Sequence, residues 1–584
     1  MDQLPCLLMV ALIAACSPSR DAATVDLTRH RTGFSADRAE WLRIEATSGQ
    51  RAVIRSRVGT LDMYLRLPDD AELQYRIPAE HGIVRPSAEV GGSYVPLSAT
   101  QGADGTMRVA LPPGMGDIAS LRLLVVDPRR PAWLEPRVVG HTTATPPILD
   151  PELRPHQRGP LNVILYVVDT LRTDRLALYG HQRPTSPRLS RLAERAIVFD
   201  NAYSAGAYTS PSITALFSSR FPSEVRGRLA PDGPAQQTLA EVFQAAGYDT
   251  AAFQANPLCM PRLGYSRGFD DYRQMKRAGG TTGTELPTAA ELHAAALDWV
   301  HSRDGERPFF LYVQSMDVHA PYAPPAPFRD MFMPAQTSDT QNDIEVMAGD
   351  TSVPMKILEA VSRERYDAGV AYADHELGIL FDTLERMGLA DDTVVLITAD
   401  HGEPLSDHGE VLHGRSLYEE LVRVPLVLWI PGLDHAERVQ QIVSLLDVAP
   451  TLADLAGIPV PAQFLGRSWL APGTTLEPPA AMGELVRPID HEPLGWYVRE
   501  GPWKLIADGH DDALTYRLFH LPTDPHENVD VSAQHPREAR YLLARATART
   551  PLVPVAAPLP LDAGLSDVER RERHEALHTL GYVE

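Results

Sequence analysis

From position 161 onward the hydrophobic pattern alternates between two periods. Short apolar runs rich in β-branched residues fall at 163–168, 196–199, 250–254, 309–313, 394–398 and 426–430. Runs of that length without a polar alternation mark strands buried on both faces. Amphipathic stretches at 190–195, 238–246, 289–301 and about 356–387 lie between them and predict helices. A further helix is predicted over 442–456, with Gly457 as its C-terminal cap. Strands alternating with helices predict a doubly wound α/β sheet.

The flanks carry a different pattern. Alternating runs at 41–46, 51–58, 61–67, 106–111 and 121–126, punctuated by Gly, Pro and Asp, predict an N-terminal β-sandwich-like domain over 31–141. Residues 142–160 are proline-rich and unpatterned, hence a linker. The α/β core is placed at 161–475, a small antiparallel subdomain at 476–550 and a charged tail at 551–584.

Residues 1–16 read as an export signal. The apolar run 7–15 is too short to span a bilayer and ends in Ile13-Ala14-Ala15-Cys16, which resembles a bacterial lipobox. The reading is an exported protein, periplasmic or anchored to a membrane by lipid on Cys16, with 17–30 as a tether. An ordinary cleaved signal is the alternative. With Cys6 removed and Cys16 lipidated, Cys259 is the one cysteine left of three, so no internal disulfide forms. A net charge of -22 excludes a general nucleic-acid binder, because phosphate contacts need clustered Lys and Arg.

The candidate chemistry sits where strands end. The run 393–414, TVVLITADHGEPLSDHGEVLHG, places Asp400 and His401 after a buried strand. Glu403, Asp407, His408, Glu410 and His413 follow in a glycine-marked loop. The strand over 161–168 ends on Asp169. Ligands collect outside the carboxyl ends of parallel strands, and two such Asp residues with an adjacent His point to a metal site. Thr209 precedes Ser210-Pro211, which reads as an N-cap followed by a first helical proline. A hydroxyl just before a helix N-terminus and near a metal is placed to act as a nucleophile.

A set of motifs then appears in order. DTLR from Asp169, RPTSPRLSRLAERAIVFDNAYS, TSPS, LGYSRGFD, MDVHAPY, TADHGE, VPLVLWIPG, LLDVAPTLADLAGIP and WKLI…YRLFHLPTDPHE span about 160–528. Together they resemble the sulfatase family of the alkaline phosphatase superfamily. The resemblance implies an alkaline-phosphatase-like α/β fold and a metal-dependent hydrolase of sulfate or phosphate/phosphonate esters, whose substrate is a small molecule, a glycan or a lipid headgroup. It implies Asp169, Thr209, Asp400 and His401 as ligands of one divalent metal ion: Ca²⁺ by family, with Mn²⁺ or Zn²⁺ favoured by the histidine. Asp317, His319, His408 and His413 are candidates for a second site. The resemblance makes Thr209 the nucleophile, His319 a contact to the bound oxyanion or leaving group, and His413 a contact to the transferred group.

The departures are specific. Sulfatases carry Cys or Ser in a C/S-x-P-x-R motif and oxidise it to formylglycine; here Thr209 stands at that position and Ile213 replaces the arginine. The lysine-histidine motif that grips sulfate in many members is absent, and AFQANPLCMPRLGYSRGFD occupies its segment. The ligand set resembles threonine-nucleophile, phospho-transferring relatives. A transferase acting on envelope components, or a catalytically silent binding lipoprotein, are the alternative readings.

Overall fold

The computed structural model describes the strands between residues 23 and 145 together with 97–99, and residues 144–548 apart from nine segments. Those are 155–158, 226–228, 230–235, 277–285, 334–354, 411, 475–479, 487–492 and 510–513. The expectations for the export signal, the lipobox at Cys16, the tether beyond it and the helix-like tail lie outside the described residues, save that the strand Ala23–Asp26 falls within the tether. The chain divides into two compact units. One is drawn from Met1–Pro146, Pro472–Ala480 and Leu494–Pro554, the other from Pro147–Ala471, Ala481–Pro493 and Val555–Glu584.

In the first unit, the N-terminal runs form three antiparallel sheets of five, four and three strands. Its C-terminal part is an antiparallel meander, Pro493–Glu500, Trp503–Asp508 and Thr515–His520. Lys504 and Glu527 form an ion pair of 3.0 Å there, with both side chains fully buried.

The second unit holds the mixed sheet. Its strands are β1 (Asn162–Val168), β2 (Ile197–Tyr203), β3 (Asp249–Gln254), β4 (Asp271–Gln274), β5 (Phe309–Ser315), β6 (Thr393–Thr398), β7 (Arg423–Val424), β8 (Leu426–Trp429) and β9 (Glu437–Ser444). The order is β4-β3-β5-β1-β6-β8-β2-β7, with β9 beside β2. β1 lies between β5 and β6 and is parallel to both, so the three carboxyl ends open at one edge. β8 runs antiparallel to β6 and β2, which makes the sheet mixed rather than wholly parallel. Every residue of β5 and β6 is buried, as the continuous apolar runs predict.

Helices α1 (Pro187–Leu192), α2 (Thr209–Ser218), α3 (Leu239–Ala245), α4 (Ala289–Ser302) and α5 (Met355–Arg386) cover the sheet. α3 and α4 both start on capping boxes, Thr238 with Glu241 and Thr288 with Glu291. Two boundaries differ from the sequence pattern. The helix predicted over 442–456 begins only at Val448, because residues 442–444 complete β9 beside β2. Ser444 and Asp447 then cap the turn that follows. α2 begins at Thr209, with Tyr208 as the capping residue in place of Ser210. Its side chain makes no capping hydrogen bond.

Glu484, on the strand Ala480–Val486, ties down both flanks of α2. Its backbone N–H donates to Ala205 O (2.9 Å). Its carboxylate accepts from Ser223 N (2.8 Å) and Ser223 Oγ (2.7 Å). Burial pushes this carboxyl up to about 7, against the two Ser223 hydrogen bonds that favour its charged form. Because the folded value lies above the unfolded one, its contribution is full below the ordinary glutamate range and is lost as pH rises towards 7. Glu484→Gln should therefore flatten the loss of stability between pH 5 and pH 8 by about 1–3 kcal/mol. Denaturant melts of both proteins at the two pH values measure it. Parallel curves for variant and wild type would show that Glu484 does not titrate there.

Candidate active site

Asp169 follows β1 directly, and its backbone N–H donates to Ser315 O at the end of β5 (2.9 Å). Asp400 and His401 follow β6 one residue on. All three side chains are fully buried. His401 Nδ1 lies 2.8 Å from Gly402 O, which only accepts, so Nδ1 carries the hydrogen and Nε2 presents its lone pair. That nitrogen faces Asp400 Oδ2 at 3.5 Å, Asp169 Oδ1 at 3.7 Å and Thr209 Oγ1 at 3.4 Å.

Three acceptors thus converge with no charged donor between them. Asp169 Oδ1 and Asp400 Oδ2 are buried and have no hydrogen-bond partner. Ligand atoms of the three residues lie within 4.8 Å of one another. Burial pushes Asp400 up to about 7 and His401 down to about 4. Two hard oxygens and an imidazole nitrogen, held with their lone pairs inward, fit a divalent cation.

The backbone around the cluster is strained. Thr170, Leu405, Ser406 and His408 have φ of 59°, 48°, 70° and 52°, in the left-handed region that non-glycine residues avoid. Thr170 N donates to Asp400 Oδ1 (3.3 Å), while Tyr366 OH donates to Thr170 O (2.6 Å). Arg172 holds the second loop, donating from Nη1 to Glu403 O (2.8 Å) and Asp407 Oδ2 (2.6 Å). Gly402 has no alternative: a Cβ there would meet Glu420 O at 2.0 Å.

Thr209, fully buried, is the first residue of α2. Its Oγ1 lies 3.4 Å from Asp169 Oδ2 and 3.0 Å from Asn256 Nδ2. His319 Nδ1 donates to Ala320 O (2.7 Å), and its Nε2 is buried without a partner. His413 Nδ1 meets Glu403 Oε1 at 2.9 Å, and the His413 ring lies 5.1 Å from that of His319 and 4.5 Å from that of His401. Burial holds His319 below its ordinary value. For His413 burial acts the same way, but the Glu403 carboxylate outweighs it and raises the imidazole. Two adjacent histidines are thereby driven apart, one towards the neutral and one towards the charged form.

The structure therefore brings Asp169, Thr209, Asp400, His401 and His413 into contact, with His319 against His413. The four candidates for a second site are not gathered. Asp317 Oδ1 accepts from Ala289 N at the start of α4 (3.1 Å), and His408 stacks on Tyr418 and pairs with Glu420 (2.7 Å). Among the described residues the single candidate group is Asp169, Asp400 and His401. Sequence reasoning missed Asn256 and Gln314, both fully buried, whose amides donate to Asp169 Oδ2 at 2.7 and 2.9 Å. Both follow or end buried strands, the same signal that singled out Asp169.

A mixed sheet with an acidic, histidine-bearing cluster at its carboxyl edge and a hydroxyl at an adjoining helix start defines an alkaline-phosphatase-like α/β hydrolase. The sulfatase model matches residues 161–458, just over half of the 584, and the chain belongs to the sulfatase family of ester-bond hydrolases. Choline-sulfatase of Rhizobium meliloti (strain 1021) is 27% identical over 442 residues, 65% of this chain and 83% of its own. Iduronate 2-sulfatase of Mus musculus is 25% identical over 387 residues, 52% and 69% of the two chains. The fold is shared with the phosphonate monoester hydrolase of Agrobacterium radiobacter, at a TM-score of 0.51 and 20% identity, covering 66% of this chain and 94% of that one. It is shared too with a structure solved in complex with its substrate D-glucosamine-2-N,6-O-disulfate, at 0.53 and 22%, covering 66% and 97%.

Elemental analysis of the purified protein should find one divalent ion per chain. Asp400→Asn should weaken its binding at least about tenfold in a calorimetric titration. A metal-free protein whose activity ignores chelators would end the metal assignment.

Proposed function

We propose that the protein hydrolyses sulfate or phosphate/phosphonate esters by way of a covalent ester on Thr209. The observation that carries this is the position of Thr209 Oγ1, buried at the start of α2 and within 3.4 Å of both Asp169 Oδ2 and His401 Nε2. Asp169, Thr209, Asp400 and His401 would hold the divalent ion, Ca²⁺ by family resemblance and Mn²⁺ or Zn²⁺ by the nitrogen ligand. Such an ion supplies positive charge at the hydroxyl and at the oxygens of the transferred group.

Thr209 Oγ1 forms a bond to sulfur or phosphorus as the bond to the leaving oxygen breaks. Its hydrogen passes to the acceptor it faces, Asp169 Oδ2. The leaving oxygen takes a proton from His413, which Glu403 keeps in the charged form. Water then attacks the Thr209 ester, giving one proton to His413, and Thr209 recovers its own from Asp169. His319, with Nε2 open, is positioned to orient that water or an oxygen of the bound group.

Threonine cannot give the formylglycine aldehyde, and this favours direct ester chemistry, with phospho esters and phosphonates ahead of sulfates. Names among the relatives and neighbours keep both classes open. A transferase differs only in delivering the group to an alcohol in place of water, so product analysis with and without added alcohols separates the two. Export with lipid on Cys16 belongs to the same reading. Mass spectrometry of the mature N-terminus checks it, and an unmodified terminus beyond Cys16 would replace anchoring with ordinary secretion.

Thr209→Ala removes the attacking oxygen and a metal ligand together, and kcat/KM should fall by roughly three orders of magnitude or more. Thr209→Ser should retain measurable activity. Thr209→Cys should not mature efficiently to formylglycine, because Ile213 stands where the motif has arginine. A panel of p-nitrophenyl sulfate, phosphate, phosphodiester and phenylphosphonate identifies the substrate class. A brief pulse of the best one should leave a modified Thr209 peptide. Near-wild-type rates for Thr209→Ala would make water the attacking group.

A further inference from the structure

Asn256 lies two residues beyond β3, inside the AFQANPLC segment that stands where many sulfatases carry a lysine-histidine motif. It is fully buried. Its side-chain oxygen accepts from Leu258 N at 2.8 Å, and its Nδ2 faces two acceptors, Asp169 Oδ2 at 2.7 Å and Thr209 Oγ1 at 3.0 Å. The orientation of the amide follows from these partners. Turning it over would set its oxygen against a carboxylate and its NH₂ against the Leu258 N–H, two repulsive contacts for three good ones.

We infer that Asn256 is a positioning residue for the nucleophile, one N–H fixing Thr209 Oγ1 and the other fixing the carboxylate of Asp169. This rests on the reading of Thr209 as the attacking group. The two hydrogens of an amide nitrogen diverge in a plane, and the two acceptors they reach are 3.4 Å apart. One planar group therefore sets the distance between the nucleophile and a candidate metal ligand. Gln314 Nε2 adds a second donor to the same Asp169 oxygen (2.9 Å), and its own oxygen is held by Tyr312 OH (2.9 Å). With both amide donors on Oδ2, Asp169 turns Oδ1, its bare oxygen, towards His401.

The effect on Thr209 is directional. A hydroxyl oxygen has two lone pairs and one hydrogen. Asn256 occupies one lone pair, and the hydrogen goes to Asp169 Oδ2 or His401 Nε2, both at 3.4 Å. The other lone pair faces the candidate metal, so the pair freed when the proton leaves is the one that attacks. As negative charge develops on Oγ1, the Asn256 contact becomes charge-assisted and strengthens. A contact that strengthens only on the way to the transition state acts on kcat and leaves KM nearly unchanged.

The experiment compares wild type, Asn256→Ala, Asn256→Asp and Thr209→Ala on the best ester of the panel, with Mn²⁺ titrated calorimetrically into each metal-stripped protein. Asn256→Ala should lower kcat by about 10²-fold and change KM by less than about threefold. Its Mn²⁺ affinity should weaken by about tenfold or more, as when a partner that orients a ligand is removed. Asn256→Asp keeps the volume but replaces the donors, so above pH 8 it should not restore kcat; restoration would show that Asn256 only fills space, and would overturn the inference. An unchanged kcat in Asn256→Ala, or a raised KM with kcat intact, would overturn it too. Failure of the parent reading looks different: Thr209→Ala then turns over at near-wild-type rates, whatever Asn256→Ala does.

Discussion

Two buried carboxylates and an imidazole lone pair converge on one point, with no charged donor between them and the Thr209 hydroxyl alongside. An unsatisfied buried polar atom costs about 1–3 kcal/mol, and a charged one more. Such an arrangement persists only where the surroundings leave the side chains no other pose. Here they are held from behind. Asp169 is fixed by two amides, Asp400 by the backbone N–H groups of Thr170 and His401, and His401 by Gly402 O. The outward-facing atoms are those left bare, and they share a point. Burial raises Asp400 and lowers His401, so both shifts favour the neutral forms. A divalent cation would reverse the first shift and deepen the second, favouring the charged carboxylate and the neutral imidazole that ligate it.

The strain in the loops follows from the same constraint. Strand β1 must deliver Asp169 between β5 and β6, and the chain then turns immediately, with Thr170 at positive φ. Tyr366, from α5, holds that turn by donating to Thr170 O and accepting from Arg172 N. The guanidinium of Arg172 spans to the loop after β6 and binds two of its carbonyls and Asp407. The two loops that carry the carboxylates are therefore one mechanical piece. Glu403, pinned through its backbone by Arg172, raises His413 with its side chain, so the Glu403–His413 pair depends on the loop that carries Asp400 and His401.

Most of this was legible where the chemistry is carried by periodicity or by a strand end. β1, β5 and β6 read as continuous apolar runs because both faces are buried, and Asp169 and Asp400 stand out as the first acidic residues beyond them. β9 did not, because its pattern mixes exposed Gln440 and Gln441 with buried Val439 and Val443. The helical spacing of the apolar residues after it extended the predicted helix too far back. β4 is short and half-exposed, so it carries no hydrophobic signal. Asn256 and Gln314 were missed for another reason: a neutral amide is common in loops and strands. What matters is which acceptors it meets, Asp169 from β1 and Thr209 from α2, which lie 87 and 47 residues away. That distance is closed only by the sheet order.

A threonine at position 209 is coherent with its surroundings. Threonine is β-branched and stiff at χ1, so a buried Thr at the first turn of a helix presents its hydroxyl with little freedom. Tyr208 leaves the helix start without a side-chain cap, and Pro211 contributes no N–H of its own. Thr209 thus stands at a helix start, where the helix dipole favours negative charge. Ile213, fully buried where the sulfatase motif has arginine, adds apolar contact to the core and nothing to the site. A neutral amide, Asn256, contacts Thr209 Oγ1. Neither residue brings a cation that would balance a densely anionic group. Under the proposed mechanism an ester on Thr209 would be released by water, and the open Nε2 of His319 beside the Glu403-paired His413 would be the place to hold it.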